Sequence, residues 1–448
     1  MMKLADAGFL LTDTTRSNAQ VSMLTTWYLP KNAKEDFLSS LVEQWRKSVK
    51  FAEPFNLRLK PGILPDWEVL TADQIDLDYH LRHSALPKPG GEKELGILAS
   101  RLHSNPLDKK RPLWEMHVIE GLERGRFAVF LKLHHSQIDG MGAIRMLERF
   151  LSPSPTANDL PAWWEVAPRK SAPAPEEPAK KKISFKKIPR VDKLMGALGD
   201  AYLNSNPYNA APFSAPMTPL NVRLGPARRV ATQLYAVERL KKIAKAASVS
   251  MNDVVLCICA GGLRRYLIEN DQLPTKTMTT GVPVSVRDNE QVGNAITFML
   301  AKLYTDIEDH EERLQEIHHS TLLAKDRLHG LPDKGSREMF GAAIMGPYMA
   351  QLGLQMAGRF RPVHNIVISN VPGPDKPYYM YGAKLEAFFP ISAIMDGQAL
   401  NITFLSYAGY YGVGFTACRE ALPSMQRIAV YTGECLEELE ASLGLTEK

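Results

Sequence analysis

The sequence predicts an α/β (α+β) protein of two domains, each a mixed β-sheet flanked by helices, joined by a long linker. Three observations carry this. At 448 residues the chain is long for a single hydrophobic core. Strand-like and helix-like runs alternate through both halves. Between them lies a stretch rich in Pro, Ala and Glu, residues 152–182, which holds too little apolar surface to fold alone.

The elements follow in order. Residues 21–29 read as a strand. Residues 34–49 read as a helix, with Phe37, Leu38, Leu41, Val42 and Trp45 on one side. A second helix falls at 95–104. A hairpin follows, with strands at 114–119 and 126–133 and a turn carrying Gly121 and Gly125. A helix opening near Met141 turns Ile144, Leu147 and Leu151 inward. The first domain is therefore 1–152. The linker is 153–222; its basic residues Lys180, Lys181, Lys182, Lys186, Lys187, Arg190 and Lys193 suit a solvated connector or a contact with anionic lipid, and 195–222 reads as irregular. The second domain, 223–448, opens with a strand at 229–235 and a helix at 237–247 burying Val237, Leu240, Ile243 and Ala247. Ser250 and Asp253 form a capping box for an apolar helix, 251–268. Further strands read at 278–286, 295–304, 364–369, 399–406 and 411–418. Residues 340–358, broken by Pro347, read as a buried helix pair, with an acyl-tunnel wall or lipid-facing surface as the second reading.

Composition narrows the function. With 45% hydrophobic and 23% charged residues, both domains can bury a core. A net charge of +5 is too weak for a dedicated nucleic-acid binder, but suits an anionic small ligand or membrane surface. The four cysteines show neither metal-ligand spacing nor a disulfide framework, which favours a reducing cytosol. The N-terminus lacks a signal-peptide layout, and no run of about eighteen apolar residues occurs. Serine-hydrolase, P-loop and zinc-protease motifs are absent. GVGFTA, 412–417, mimics part of a dinucleotide fingerprint but lies in a strand-like run with no helix after it.

The sharpest chemical signal is KLHHSQIDG, 132–140, at a strand-to-helix connection. By strand parity His135 continues the face of Leu131 and Leu133, and His134 the opposite face. A histidine with a pKa of about 6.5 can take a proton from an alcohol and return it to a leaving thiolate. Asp139 has two open roles: fixing the imidazole tautomer, or holding the loop through an arginine elsewhere. By the residues alone, the group could also ligate a metal, and Asp139 could cap the helix.

HHSQIDG resembles the HHxxxDG motif of the bacterial wax ester synthase/diacylglycerol acyltransferase family, and through it the wider coenzyme A-dependent superfamily of chloramphenicol acetyltransferase and condensation domains. Other blocks resemble that family in order. They are Asp6, Phe9 and Leu10; LDYHLRH (77–83) and LPKPGG (86–91); PLD (106–108) and RPLWE (111–115); Asn252 and Asp253; PVSVR (283–287) with Gly293 and Asn294; and SNVPGP (369–374). One departure is Asp13, where the family often has glutamate.

The resemblance implies two chloramphenicol acetyltransferase-like domains. It implies transfer of a long-chain acyl group from acyl-CoA to a fatty alcohol or to diacylglycerol. His135 would be the base, Asp139 the residue holding the loop, His134 a support, Gly140 the close of the motif, and Asn252 a second-half residue near the reacting carbonyl. Acyl-CoA is expected as co-substrate with no further cofactor, no metal and no nucleic acid. A cytoplasmic protein lying on the inner membrane or on lipid inclusions would follow. Two alternatives are a carrier-protein-dependent condensation-type acyltransferase and a non-catalytic lipid-inclusion protein. The PLW and NVPGP blocks speak against the first, and the intact HHSQIDG against the second.

Overall fold

The computed structural model describes residues 4–62, 65–138, 140–166, 191–285 and 296–445. In the first half α1 (Leu4–Thr12) leads into β1 (Gln20–Tyr28) and α2 (Phe37–Arg46). A small ribbon, β2 (Leu57–Leu59) and β3 (Trp67–Val69), precedes the single turn α3 (Leu77–His80), β4 (Leu81–Ala85) and α4 (Glu92–Ser104). The hairpin β5 (Trp114–Leu122) and β6 (Arg126–His134) then runs into α5 (Gly140–Phe150). After α6 (Val191–Leu203) come β7 (Arg228–Ala236), α7 (Val237–Ala246), α8 (Met251–Glu269), β8 (Thr279–Ser285) and β9 (Ile296–Lys302). The chain continues through α9 (His310–His329), α10 (Lys334–Gly353), β10 (Ile366–Val371), β11 (Tyr379–Met380), β12 (Ala383–Ile391), β13 (Leu400–Tyr407), β14 (Tyr410–Cys418) and α11 (Gln426–Ser442).

Two six-stranded mixed sheets form, in the orders β11-β12-β1-β6-β5-β4 and β7-β14-β13-β10-β8-β9. The first sheet buries Trp27, Phe127, Val129, Leu131 and Leu133 on one face, against α2 and α5. Its other face sets Leu24, Ala128 and Phe130 against Leu95, Ala99 and Leu102 of α4. In the second half α8 is apolar on every side from Val254 through Leu263, and these residues are buried among α7, α9 and α11. Its start is the expected capping box: Ser250 Oγ accepts from the Asp253 N–H at 3.3 Å, and Asp253 Oδ2 accepts from the Ser250 N–H at 2.9 Å.

The C-terminal half lends strands to the first sheet. β12, from the C-terminal half, lies antiparallel beside β1, with Ser22 opposite Ile391 and Tyr28 opposite Lys384. The first sheet is thus completed by residues far beyond 152. β14 of the second sheet crosses β12 closely enough that a Cβ at Gly412 would lie 1.8 Å from the Phe388 carbonyl oxygen, and one at Gly414 1.6 Å from that of Pro390. Only glycine fits there. That crossing is the physical role of the glycines in GVGFTA.

Three expectations are corrected. Residues 195–222 are not uniformly irregular, because α6 extends to Leu203. The linker read at 153–222 is packed at both ends: Trp163 and Trp164 are buried in the first core, Trp164 stacking on Trp114 at 5.6 Å, and Leu194 and Ala201 of α6 are buried in the second. The basic run 180–187 lies outside the described residues. Residues 340–358 are not a helix pair, since α10 continues through Pro347. A proline cannot donate to the carbonyl four residues back, here Ala343. The hydroxyl of Tyr202 in α6 donates to that carbonyl instead, at 3.1 Å. An external donor thus replaces the lost helical bond, so the helix need not break.

Candidate active site

β6 delivers the two histidines to the end of the first sheet. Register places His134 opposite Gln20, and the His135 N–H donates to the Ala19 carbonyl at 2.9 Å. The strand stops there. The Gln137 N–H folds back to the His134 carbonyl at 2.9 Å, and α5 opens at Gly140.

His134 is buried, and its tautomer follows from its partners. Nδ1 accepts from the Ser136 backbone N–H at 3.2 Å, which can only donate, and lies 2.7 Å from Ser136 Oγ. The neutral ring therefore carries its proton on Nε2. Nε2 faces Asp13 Oδ2 at 3.5 Å. Asp13 also accepts from Lys109 Nζ at 2.9 Å and from the Ala19 N–H at 3.0 Å. Burial alone would raise the Asp13 pKa, but hydrogen bonding and charge from His134 and Lys109 outweigh it and hold the carboxyl below its usual range. One carboxylate thus faces the His134 ring and ties down the residue that pins the His135 backbone.

His135 is half-buried. Its ring stacks on Phe9 of α1, with centroids 4.4 Å apart and planes 20° apart. Phe9 packs against the core of the second half, and Ala19 is part of that core. His135 therefore sits where the two cores meet. Behind the motif, Lys132 and Glu115 pair across β5 and β6 at 2.9 Å, both buried, and Lys132 Nζ also donates to the Leu102 and Asn105 carbonyls at the end of α4. Burial would raise the Glu115 pKa, but His117 and Lys132 bring it down to about 2.

The other sequence candidates are placed less directly. Asp139 lies outside the described residues. Asn252 is the second residue of α8, half-buried, and no hydrogen bond joins it to either histidine. Its neighbour Asp253 is turned toward α9, accepting from Thr321 Oγ1 at 2.6 Å and facing His318 Nδ1 at 2.8 Å. The structure adds Asp13, Ser136, Ala19 and Lys109 to the group. Strand parity left Ser136 undistinguished, and Asp13 appeared only as a departure from a motif. The role of Asp13 depends on its contact with His134, 121 positions along the chain, for which a single sequence carries no signal, whereas Ser136 reaches His134 from two positions away.

A group with metal-ligand atoms forms elsewhere, at His310, Cys435 and Glu438. There Arg313 donates to His310 Nδ1 at 2.8 Å and Arg265 to Glu438 at 2.6 Å. Two guanidinium groups already serve His310 Nδ1 and Glu438 Oε1 and would repel a cation. A cavity of about 480 Å³ opens between the end of α2 and residues 72–77, lined by Arg46, Val49, Phe51 and Ile75. It holds none of the candidate site residues.

Comparison with known proteins identifies the family. The family model for the wax ester synthase/diacylglycerol acyltransferase catalytic domain matches residues 2–255, and that for the C-terminal domain matches 292–440. A putative diacylglycerol O-acyltransferase of Mycobacterium tuberculosis is 38% identical over 482 residues, covering 98% of this chain and 97% of that protein. The O-acyltransferase WSD of Acinetobacter baylyi is 36% identical over 453 residues, covering 98% and 96%. Among solved structures, a wax ester synthase/diacylglycerol acyltransferase from Marinobacter aquaeolei VT8 superposes with a TM-score of 0.79 at 34% identity, covering 99% of this chain and all of that one. The first condensation domain of the calcium-dependent antibiotic synthetase superposes with a TM-score of 0.61 at 16% identity, covering 99% and 95%, a likeness of fold alone.

Proposed function

The chain belongs to the wax ester synthase/diacylglycerol acyltransferase family, and on that premise we propose that it moves a long-chain fatty acyl group from acyl-CoA to a fatty alcohol, to diacylglycerol, or to both. The observation that carries the reading is His135, a half-buried imidazole held by its backbone to Ala19 and by its ring to Phe9 where the two cores meet.

In this mechanism His135 takes the proton of the acceptor hydroxyl as its oxygen attacks the thioester carbonyl. The tetrahedral intermediate then expels the coenzyme A thiolate, which takes the proton back from the imidazolium. The acyl group never becomes attached to the protein. Asp13 and His134 act as positioning residues. Asp139, Gly140 and Asn252 enter the proposal on family likeness, Asn252 as a donor toward the reacting carbonyl.

The acceptors are lipids, and we place the protein on a cytoplasmic membrane or lipid-inclusion surface. No single described helix is long and apolar enough to cross a bilayer. Residues 339–358 contain no charged side chain, yet Leu354 is 70% exposed, and on α6 Met195 is 61% and Leu203 84% exposed. Such surface suits contact with lipid.

The deciding experiment follows thiol release from palmitoyl-CoA with hexadecanol or dipalmitoylglycerol. Wild type should release thiol only with an acceptor present, and His135→Ala should lose about 10²- to 10⁴-fold of that rate. Acceptor-independent release would indicate a thioesterase. No release with any acceptor would overturn the proposal.

A further inference from the structure

The loop that pins His135 continues across the seam between the two halves. Ser17 Oγ accepts from the Asp396 N–H at 3.0 Å. The Asp396 carboxylate accepts from the Leu224 N–H at 2.8 Å and faces two guanidinium groups, Arg16 at 3.4 Å and Arg223 at 3.8 Å. Behind them Arg228 is buried; it donates to the Gly225 carbonyl at 2.7 Å and to the Arg16 carbonyl. Its Nε has no hydrogen-bond partner, and among the described residues no carboxylate lies within ion-pair distance of it. Arg419, exposed, is held beside this corner by its N–H on the Ala227 carbonyl at 3.0 Å. A second acid, Glu420, is exposed and accepts from Cys418 Sγ at 3.3 Å. Three guanidinium groups, those of Arg16, Arg223 and Arg228, therefore stand against two carboxylates.

Such an excess is costly to hold together unless an anion visits it. The side chains of Arg16 and Arg223 keep 36% and 27% of their surface exposed, so a ligand can reach them. Each guanidinium has five donors, more than a shared carboxylate at these distances can use. Arginine is also the side chain best shaped for phosphate oxygens. The position is suggestive as well. Arg16 is three residues from Ala19, whose carbonyl holds His135, and three residues span at most about 11 Å.

We propose that this arginine corner receives the phosphate groups of acyl-CoA, with the pantetheine arm running along the seam to bring the thioester to His135. The inference rests on the acyltransferase reading and adds to it where the charged end of the donor docks. Arg16 and Arg223 make the contact. Arg228 lies beneath them and supports the Arg16 backbone.

The test compares two donors with one acceptor, hexadecanol. Palmitoyl-CoA carries the phosphates, and palmitoyl-pantetheine does not. Arg16→Gln and Arg223→Gln, made singly, should each raise KM for palmitoyl-CoA about tenfold at unchanged kcat, leave KM for palmitoyl-pantetheine unaltered, and regain most of the loss as the lysine variants. Equal rises for both donors would show that the arginines only clasp the seam and would overturn the proposal, as would an unchanged KM for palmitoyl-CoA. Calorimetric titration of coenzyme A into the full chain is independent of turnover. Wild type should bind it more weakly as salt rises, and the glutamine variants about tenfold more weakly than wild type. Absence of binding, or equal binding by all three proteins, would overturn the docking site even if acyl transfer proceeds. Inert wild type that still shows arginine-dependent binding would instead sink the acyltransferase reading alone.

Discussion

Asp13 and His134 face each other at 3.5 Å, and the same Asp13 carboxylate accepts the Ala19 N–H at 3.0 Å, so a single acid orders both histidines of the motif. Asp13→Ala should leave the Ala19 N–H and Lys109 without their shared acceptor and the His134 ring without the carboxylate it faces. Displacing a catalytic group by even about 1 Å can cost about 10²-fold in rate. Thiol-release kinetics of this variant should therefore show kcat lowered about 10- to 100-fold with little change in KM for palmitoyl-CoA. Asp13→Glu restores the charge and should recover most of the rate. A variant with wild-type kcat would remove Asp13 from the site.

The bond between Tyr202 and the Ala343 carbonyl predicts a measurable coupling. Tyr202→Phe leaves that carbonyl with neither a helical nor an external donor, a loss of about 1 kcal/mol. In Pro347→Ala the helix regains its own N–H, so removing the Tyr202 hydroxyl from that background should cost less. A double-mutant cycle by urea denaturation reads the difference. Additive losses would mean that the two residues act independently.

The crossing of β14 over β12 predicts a sharp positional contrast among glycines. Gly412→Ala and Gly414→Ala place a methyl within 2 Å of a backbone carbonyl oxygen and should either prevent accumulation of folded protein or cost several-fold more stability than any surface change. Gly433→Ala in α11 meets nothing nearer than the Tyr235 hydroxyl at 3.5 Å. That change should be neutral or stabilising by up to about 1 kcal/mol. Thermal melts of the three variants check this.

Acid should weaken the fold in two stages. His80 and His364 are pushed down to about 4 by burial, His80 despite its 2.7 Å contact with the Trp114 carbonyl. Unfolded histidine takes up its proton first, so the stability from these groups is complete above about pH 6.5 and lost as pH falls toward 4. Each contributes a slope of about 1.4 kcal/mol per pH unit in that window. Glu115, held down at about 2, adds a second loss between about pH 4.5 and 2. Denaturant midpoints should hold from pH 8 to about pH 6.5 and then fall to pH 4, and His80→Asn should flatten that fall.

Much of this protein was written into its sequence. The 3.6-residue spacing of Leu38, Leu41, Val42 and Trp45, the two-residue alternation through β6, and the reciprocal side chains of Ser250 and Asp253 are short-range patterns, and local geometry reads them directly. The histidine motif stood out for the same reason, because its residues are adjacent and lie at a strand end. The tertiary structure decided what depends on distant partners. β12 joins the first sheet because its partner β1 lies some 360 residues away, and no local pattern records which sheet an apolar strand will enter. Pro347 reads as a helix break until Tyr202 supplies the missing donor. Asp13 becomes part of the site, and Arg16, Arg223 and Arg228 become one charged corner, only when folding brings together segments whose separation in the chain erases any spacing signal.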